Sequence, residues 1–278
     1  RRLRWKRLEP AAGQQHPPTA VAPAGRRYAA QRVSGPPDLV DASGALIAQV
    51  WAVRHGVETG ASLRFAALGE GMRGAGAPNR LVELASRASA DEVRHAAHCA
   101  DILRSRHAEV PSPETRLLFF GPRDLGPEQR LTYEVVAQSC ISETESMATL
   151  VTLLDAARDE HLKTVLQELA RDEVQHARLG WAYLGWAKDR LDLSFLTPFL
   201  PAMATAATGD DLFQRGPPEA DDPALLLGGV VPKSERRRIY LETLDSVVIP
   251  GFEEFRIDTA PLRRWADEKR QALVALES

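Results

Sequence analysis

Two stretches of the chain carry one five-residue pattern, Asp-Glu-x-x-His: Asp91-Glu92-Val93-Arg94-His95 and Asp172-Glu173-Val174-Gln175-His176. A glutamate and a histidine three residues apart on an α-helix project from one face about one turn apart, so a carboxylate oxygen and an imidazole nitrogen can reach the same metal ion or bridge to a second. A shuffled chain of this composition would hold roughly 0.5 copies of Glu-x-x-His, and roughly 0.03 of the form preceded by Asp. Two copies of the longer form therefore call for a physical reason.

Each motif has a glutamate in the helical run before it. Glu58 lies 34 residues ahead of Glu92, and Glu143 lies 30 ahead of Glu173. The order reads as a repeated hairpin, a helix with one Glu followed by a helix with Glu-x-x-His. Two such antiparallel pairs would bring Glu58, Glu92, His95, Glu143, Glu173 and His176 to one level. Carboxylate oxygen and imidazole nitrogen suit iron or manganese, and zinc also fits; a soft-metal thiolate site is not indicated. Two divalent ions would neutralise a negative charge that four buried glutamates could not carry alone.

Other side chains compete for these roles. Glu145 is two residues from Glu143, about 200° around the helix, and is the alternative third-helix ligand; Cys140 and Met147 on the apolar stripe favour Glu143. Glu70 sits against a glycine break and reads as solvated. His55 and His98, one turn from Glu58 and His95, are further candidate nitrogens, although histidines so placed more often orient a ligand or lie partly exposed. Tyr183 shares the stripe of His176 and is a candidate for a hydrogen-bonding or redox role beside the ligands, against the competing reading of a core tyrosine. Trp51, Trp181 and Trp186 read as packing.

The positioning elements follow from periodicity. A first helix starts at Asp41 as N-cap, recurs through Ile47, Trp51, Arg54, Glu58, Ser62, Phe65 and Leu68, and is expected to end in Gly69-Glu70-Gly71 and the glycine-rich Arg73-Gly74-Ala75-Gly76. Gly56 and Gly60 flank Glu58 and should each cost about 1 kcal/mol of helix stability relative to Ala, which close packing or a local bulge would explain. Pro78 opens a second helix ending near Arg106. The connection 107–126 is long and rich in Pro and Gly, as a crossover between two hairpins would be. A third helix has Pro127 at N1 and runs to about Ala157; a fourth follows the break Arg158-Asp159-Glu160. Runs of roughly 25 to 30 residues are about 40 Å long, the scale of a four-helix bundle. Beyond 190 the pattern predicts a short helix over 194–207, an acidic Pro-rich loop over 209–223, a helix over 233–255 bent at Pro250, and a final amphipathic helix over 261–277.

Composition narrows the class. With 278 residues, 44% of them hydrophobic and 26% charged, the chain is long enough for a sizeable core. The organisation expected is a Pro/Gly-rich basic arm over 1–40, a helical bundle over 41–190 and a helical extension over 191–278 packed on it. The arm reads as a solvated segment, and nucleic acid is not the expected partner. Cys99 and Cys140 fall inside apolar helical patterns and read as buried free thiols, which favours a reducing, cytoplasmic compartment. No apolar run is long enough to span a membrane, and no apolar stretch of the signal-peptide kind follows Arg1-Arg2.

The order Glu, Glu-x-x-His, Glu, Glu-x-x-His resembles the ferritin-like di-iron carboxylate superfamily over about residues 41–190. The resemblance implies an all-α fold, a ferritin-like four-helix bundle with an N-terminal arm and extra C-terminal helices. It implies two iron ions, or manganese or a mixed pair, held by Glu58, Glu92, His95, Glu143, Glu173 and His176, with Glu92 and Glu173 as bridges. Asp-Glu-x-Arg-His at 91–95 looks like the hydroxylase subunits of bacterial di-iron monooxygenases, whose outer aspartates orient the histidine ligands. By that likeness Asp91 and Asp172, with Arg94, would each orient the histidine of the opposite motif, and Gln175 stands where the first copy has Arg94. The activity implied is an O2-dependent oxidoreductase acting on a small organic substrate, served by an electron-donor protein and able to form a homodimer. The competing expectations are a ferroxidase or iron-storage protein and a metal-free structural bundle.

Overall fold

The computed structural model describes residues 42–113, 116–117, 121–209 and 211–277. The arm expected over 1–40 and the N-cap expected at Asp41 lie outside the described residues.

All regular structure among the described residues is helical. Helix α1 (Ala42–Gly74) packs along α2 (Asn79–Ser105). A third long helix is built from α3 (Pro127–Val135), a π-helical segment (Val136–Ser142) and α4 (Glu143–Ala156), and is followed by α5 (Glu160–Ala187). Helix α5 packs on α4 and on α2, and α3 packs on α1. The local signals explain the boundaries. Pro127 stands at the first position of α3, where its missing N–H costs nothing, and the Asp159 carboxylate accepts the Leu162 N–H to cap α5.

Two differences from the periodicity are informative. Helix α1 runs unbroken through Gly69 and Gly71 and ends at Gly74, in the second of the two glycine-rich stretches. A β-carbon at Gly69 would lie 3.5 Å from that of Ala85, an ordinary van der Waals distance, so the glycine sits against α2 within the helix and is not a break. The third helix is not uniformly α-helical, and its π-helical segment lies directly before Glu143. The helix expected over 233–255 shows the same device, with α7 (Lys233–Thr243) and α8 (Ile249–Glu254) joined by a π-helical Leu244–Val248 just before Pro250. Proline has no N–H and its ring crowds the carbonyl four residues back, so a widened turn is the local relief.

The extension contributes to the interior. Helix α6 (Leu200–Thr208) packs on the π-helical segment Val136–Ser142 and α7 packs on α4. Tyr240 donates its buried hydroxyl to the Ala204 carbonyl, and α9 (Ala260–Glu277) lies against α6. The apolar core falls into two clusters. One holds Phe65, Ala88, Cys140, Leu179 and the extension's Leu200, Tyr240 and Phe252; the other holds Trp51, Cys99, Leu150 and Leu169. Along each long helix the two sets flank an ionisable position: Glu58, the pair Glu92 and His95, Glu143, and the pair Glu173 and His176. A polar layer thus separates two apolar ones.

Candidate metal centre

That layer is dry. Glu92 and His95 are 0% exposed, Glu173 and His176 1%, Glu143 4% and Glu58 6%. Donor atoms of Glu58, Glu92, His95 and Glu173 lie within 4.8 Å of one another, as do those of Glu92, Glu143, Glu173 and His176. Glu92 and Glu173 belong to both groups. The buried acid and imidazole groups can hold a metal ion, an arrangement compatible with a ferritin-like di-iron site.

The hydrogen-bond inventory fits that use. His95 Nδ1 stands 3.3 Å from Glu92 Oε2 and His176 Nδ1 3.2 Å from Glu92 Oε1. Neither Glu92 oxygen nor His95 Nδ1, however, has a partner in hydrogen-bonding geometry. Buried polar atoms left this way cost free energy, which a shared cation would recover. The outer nitrogens point elsewhere: His176 Nε2 lies 3.3 Å from Asp91 Oδ2, and His95 Nε2 lies 3.5 Å from Asp172 Oδ2. Each aspartate therefore faces the histidine of the other motif, the arrangement by which a carboxylate fixes the tautomer of a ligating imidazole. Gln175 in place of a second arginine does not leave one half unsupported. Arg94 donates to Asp91 and to Asp172, each at 2.7 Å, so one guanidinium spans both aspartates. Arg171 adds a 3.1 Å bond to Asp172.

Without metal, protons carry the balance. Burial, then the charges of Glu92 and Glu173, push Glu58 well above the usual carboxylate range; burial, then Glu173 and Glu92, do the same to Glu143. For Glu92, burial alone would raise the value, but the imidazoles of His176 and His95 outweigh it and hold the carboxyl low. Burial opposes protonation of His176, yet Glu173 and Glu92 push it up to about 12, and Glu92 raises His95 in the same way.

The remaining candidates fall outside the two groups. Glu145 is buried but turned to the extension, where it meets Arg236 Nε at 3.1 Å and accepts the Thr149 hydroxyl. Glu70 pairs with Arg73 at the surface, and His98 pairs with Glu168 at 3.1 Å. The Tyr183 hydroxyl meets Thr132 at 3.0 Å, and burial raises its pKa to about 12. Trp51 packs in the core and donates to the Gly228 carbonyl, while Trp181 and Trp186 pack on Phe252 and Tyr183. Cys99 and Cys140 are buried free thiols whose ionisation burial suppresses. His55 lines a cleft of about 390 Å³ between α1 and α2, with Thr59, Ser62, Ala96 and Arg104. Burial and then Arg104 lower its pKa, and its buried Nδ1 makes no hydrogen bond.

Three contacts were missed in the sequence reading. Gln138 donates its amide N–H to Glu143 Oε1, Arg64 Nε donates to Gln138 Oε1 at 2.6 Å, and Ser146 donates to Glu173 Oε1 at 3.1 Å. Ser146, three residues after Glu143, could have been found from an α-helical wheel; Gln138 could not. No helix among the described residues is long and apolar enough to cross a membrane. Comparison of the chain with protein-family models, curated proteins and solved structures finds no match.

Proposed function

We propose that this chain is a ferritin-like four-helix bundle with a dinuclear metal centre, and that it is an O2-dependent di-iron oxidoreductase which hydroxylates, N-oxygenates or desaturates a small organic substrate. The observation that carries the reading is the sharing of Glu92 and Glu173 by two donor groups, each completed by its own histidine and its own further glutamate. Two sites with two carboxylates in common are a design for a pair of ions.

Iron bound there supplies redox electrons and open coordination positions for O2. The chain's residues do the rest. Glu92 and Glu173 would reach both ions, Glu58 and His95 one, Glu143 and His176 the other. Asp91 and Asp172 hold the imidazoles by their outer nitrogens, and Arg94 holds the aspartates. The flanking apolar layers exclude water, with the Phe65 ring 5.2 Å from that of His176. The apolar-walled cleft at His55 offers room for a small molecule beside α1 and α2. Inserting one oxygen atom of O2 into a substrate releases the other as water and consumes two electrons and two protons, so an electron-donor protein belongs to the proposal.

The test is metal analysis of the purified chain and of the chain after anaerobic reconstitution, followed by O2 consumption with a chemical reductant. About two iron or manganese per chain are expected. Fewer than about one after reconstitution would refute the dinuclear site. Glu143→Ala should lower the metal content while Glu145→Ala leaves it, and the opposite outcome would reassign the third-helix ligand.

A further inference from the structure

Gln138 and Glu143 are five residues apart, which on an α-helix sets side chains about 140° apart, out of reach of each other. They meet because Val136–Ser142 is π-helical. The Glu143 backbone N–H bonds to the Gln138 carbonyl, one π turn back, and the Ser142 hydroxyl bonds to Ala137 O with the same spacing. The Gln138 side chain then repeats the contact, donating to Glu143 Oε1. Gln138 thus holds Glu143 by both backbone and side chain, and it is itself only 3% exposed.

The amide cannot be the other way round. Arg64 Nε donates to Gln138 Oε1 at 2.6 Å, and a guanidinium only donates. The carbonyl end of the amide is therefore committed to Arg64, and its N–H to Glu143. Two glycines make room. A β-carbon at Gly60 would lie 3.2 Å from Arg64 Nη1, and one at Gly180 would lie 2.6 Å from Cys140 Sγ and 2.8 Å from Ser139 Cβ.

Building on the dinuclear reading, we infer that Gln138, aimed by Arg64, is a positioning residue for Glu143 that sets the affinity of one metal position and not the other. Its hydrogen bond occupies one oxygen of Glu143 and leaves the second to the cluster. Among the described residues no amide hydrogen bond to Glu58, the counterpart in the other half, accompanies the charge of Arg54 that acts on it, so the two positions have different surroundings.

The experiment is a cobalt(II) titration of the metal-free full chain, followed by absorption, with thermal melting in parallel. Wild type should bind two ions. Gln138→Met keeps the length of the side chain and removes the donor; it should retain two ions and the melting temperature, weaken one binding step roughly 10- to 100-fold, and alter only that ion's absorption. Arg64→Met should act in the same direction on the same step, with Arg64→Lys recovering part of the loss. These two report on the contact even if Gln138→Met does not fold. Two unchanged steps and unchanged spectra in the variants would overturn the inference while leaving the dinuclear reading standing. Equal weakening of both steps with a lower melting temperature would also overturn it, assigning Gln138 to packing. Fewer than about one cobalt per wild-type chain would instead remove the reading on which it rests.

Discussion

Gly180 and Gly185 lie five residues apart on α5, and replacing each by alanine separates packing from helix propensity. Both changes gain about 1 kcal/mol of helix propensity. At Gly185 a β-carbon meets nothing within 4 Å, so the gain is kept. At Gly180 it would meet Cys140 Sγ at 2.6 Å, Ser139 Cβ at 2.8 Å and the Cys140 backbone nitrogen at 3.0 Å. One of those atoms is backbone, so no rotamer change relieves the contact and the π-helical segment must move. Overpacking of this kind costs about 1–3 kcal/mol. Because propensity cancels between the two variants, Gly185→Ala should be the more stable by that whole amount. Urea denaturation followed by far-ultraviolet circular dichroism reads the difference, and at about 3 °C per kcal/mol it is also visible in thermal melts. The displaced segment carries Gln138 and leads into Glu143, so Gly180→Ala should also weaken cobalt(II) binding, which Gly185→Ala should not. Equal stability of the two variants within about 0.5 kcal/mol would refute the close approach of α5 to the π-helical segment, and with it the account of what shapes that turn.

Arg94→Met should weaken both metal positions, roughly 10- to 100-fold each, since one guanidinium spans both outer aspartates; a cobalt(II) titration matching wild type would count against that role. Glu145→Gln should lower stability by about 1–2 kcal/mol through the ion pair of its buried carboxylate with Arg236 and leave metal content untouched, and loss of metal without loss of stability would contradict the assignment. The metal-free chain should lose stability as pH rises from 5 to 8. Glu58 and Glu143, raised from an ordinary value of 4.5, hold protons that the unfolded chain has released, while stability from the raised His95 and His176 is full below 6.5 and lost above it. Each such group contributes a slope of up to about 1.4 kcal/mol per pH unit. Glu92, held low, adds stability already complete above 4.5 and does not change in this window. A metal-free melting temperature that climbs from pH 5 to 8 would be the contrary result. Metal loading in weak buffer at pH 7 should release protons, and a titration without release would be equally contrary.

The parts of this site legible in the sequence are those that obey the α-helical period. Three-residue spacing puts Glu92 with His95 and Glu173 with His176, and the apolar stripes select Glu58 and Glu143 as the residues that meet them. The crossing of Asp91 to His176 and of Asp172 to His95 needed only two helices side by side. What could not be read depends on departures from the period or on contacts between remote segments. One extra residue per turn brings Gln138 onto Glu143, and no residue type announces a π turn. Gly69 reads as a stop in one dimension and is a contact with α2 in three. The partner that claims Glu145, Arg236, lies 91 residues away in the chain.

The placement of the cluster between two apolar layers explains why protons and metal should compete for it. Each flanking layer is closed by residues such as Phe65 and Leu169, both 0% exposed, so the glutamates are shielded from bulk solvent. Four carboxylates and two imidazoles then have two ways to reach low net charge. Protons on Glu58 and Glu143 with imidazolium at His95 and His176 leave Glu92 and His95 with ion-pair contacts of 3.2 to 3.3 Å but no well-formed hydrogen bond at Glu92 Oε1, Glu92 Oε2 and His95 Nδ1. Two divalent cations neutralise the same four carboxylates, and they also give those atoms partners. The proton-filled state is stabilised toward low pH and the metal-filled state toward high pH. The outer contacts of Asp91, Asp172, Arg94 and Gln138 hold the layer in place by themselves, so under the proposed reading the site would be ordered before ions arrive.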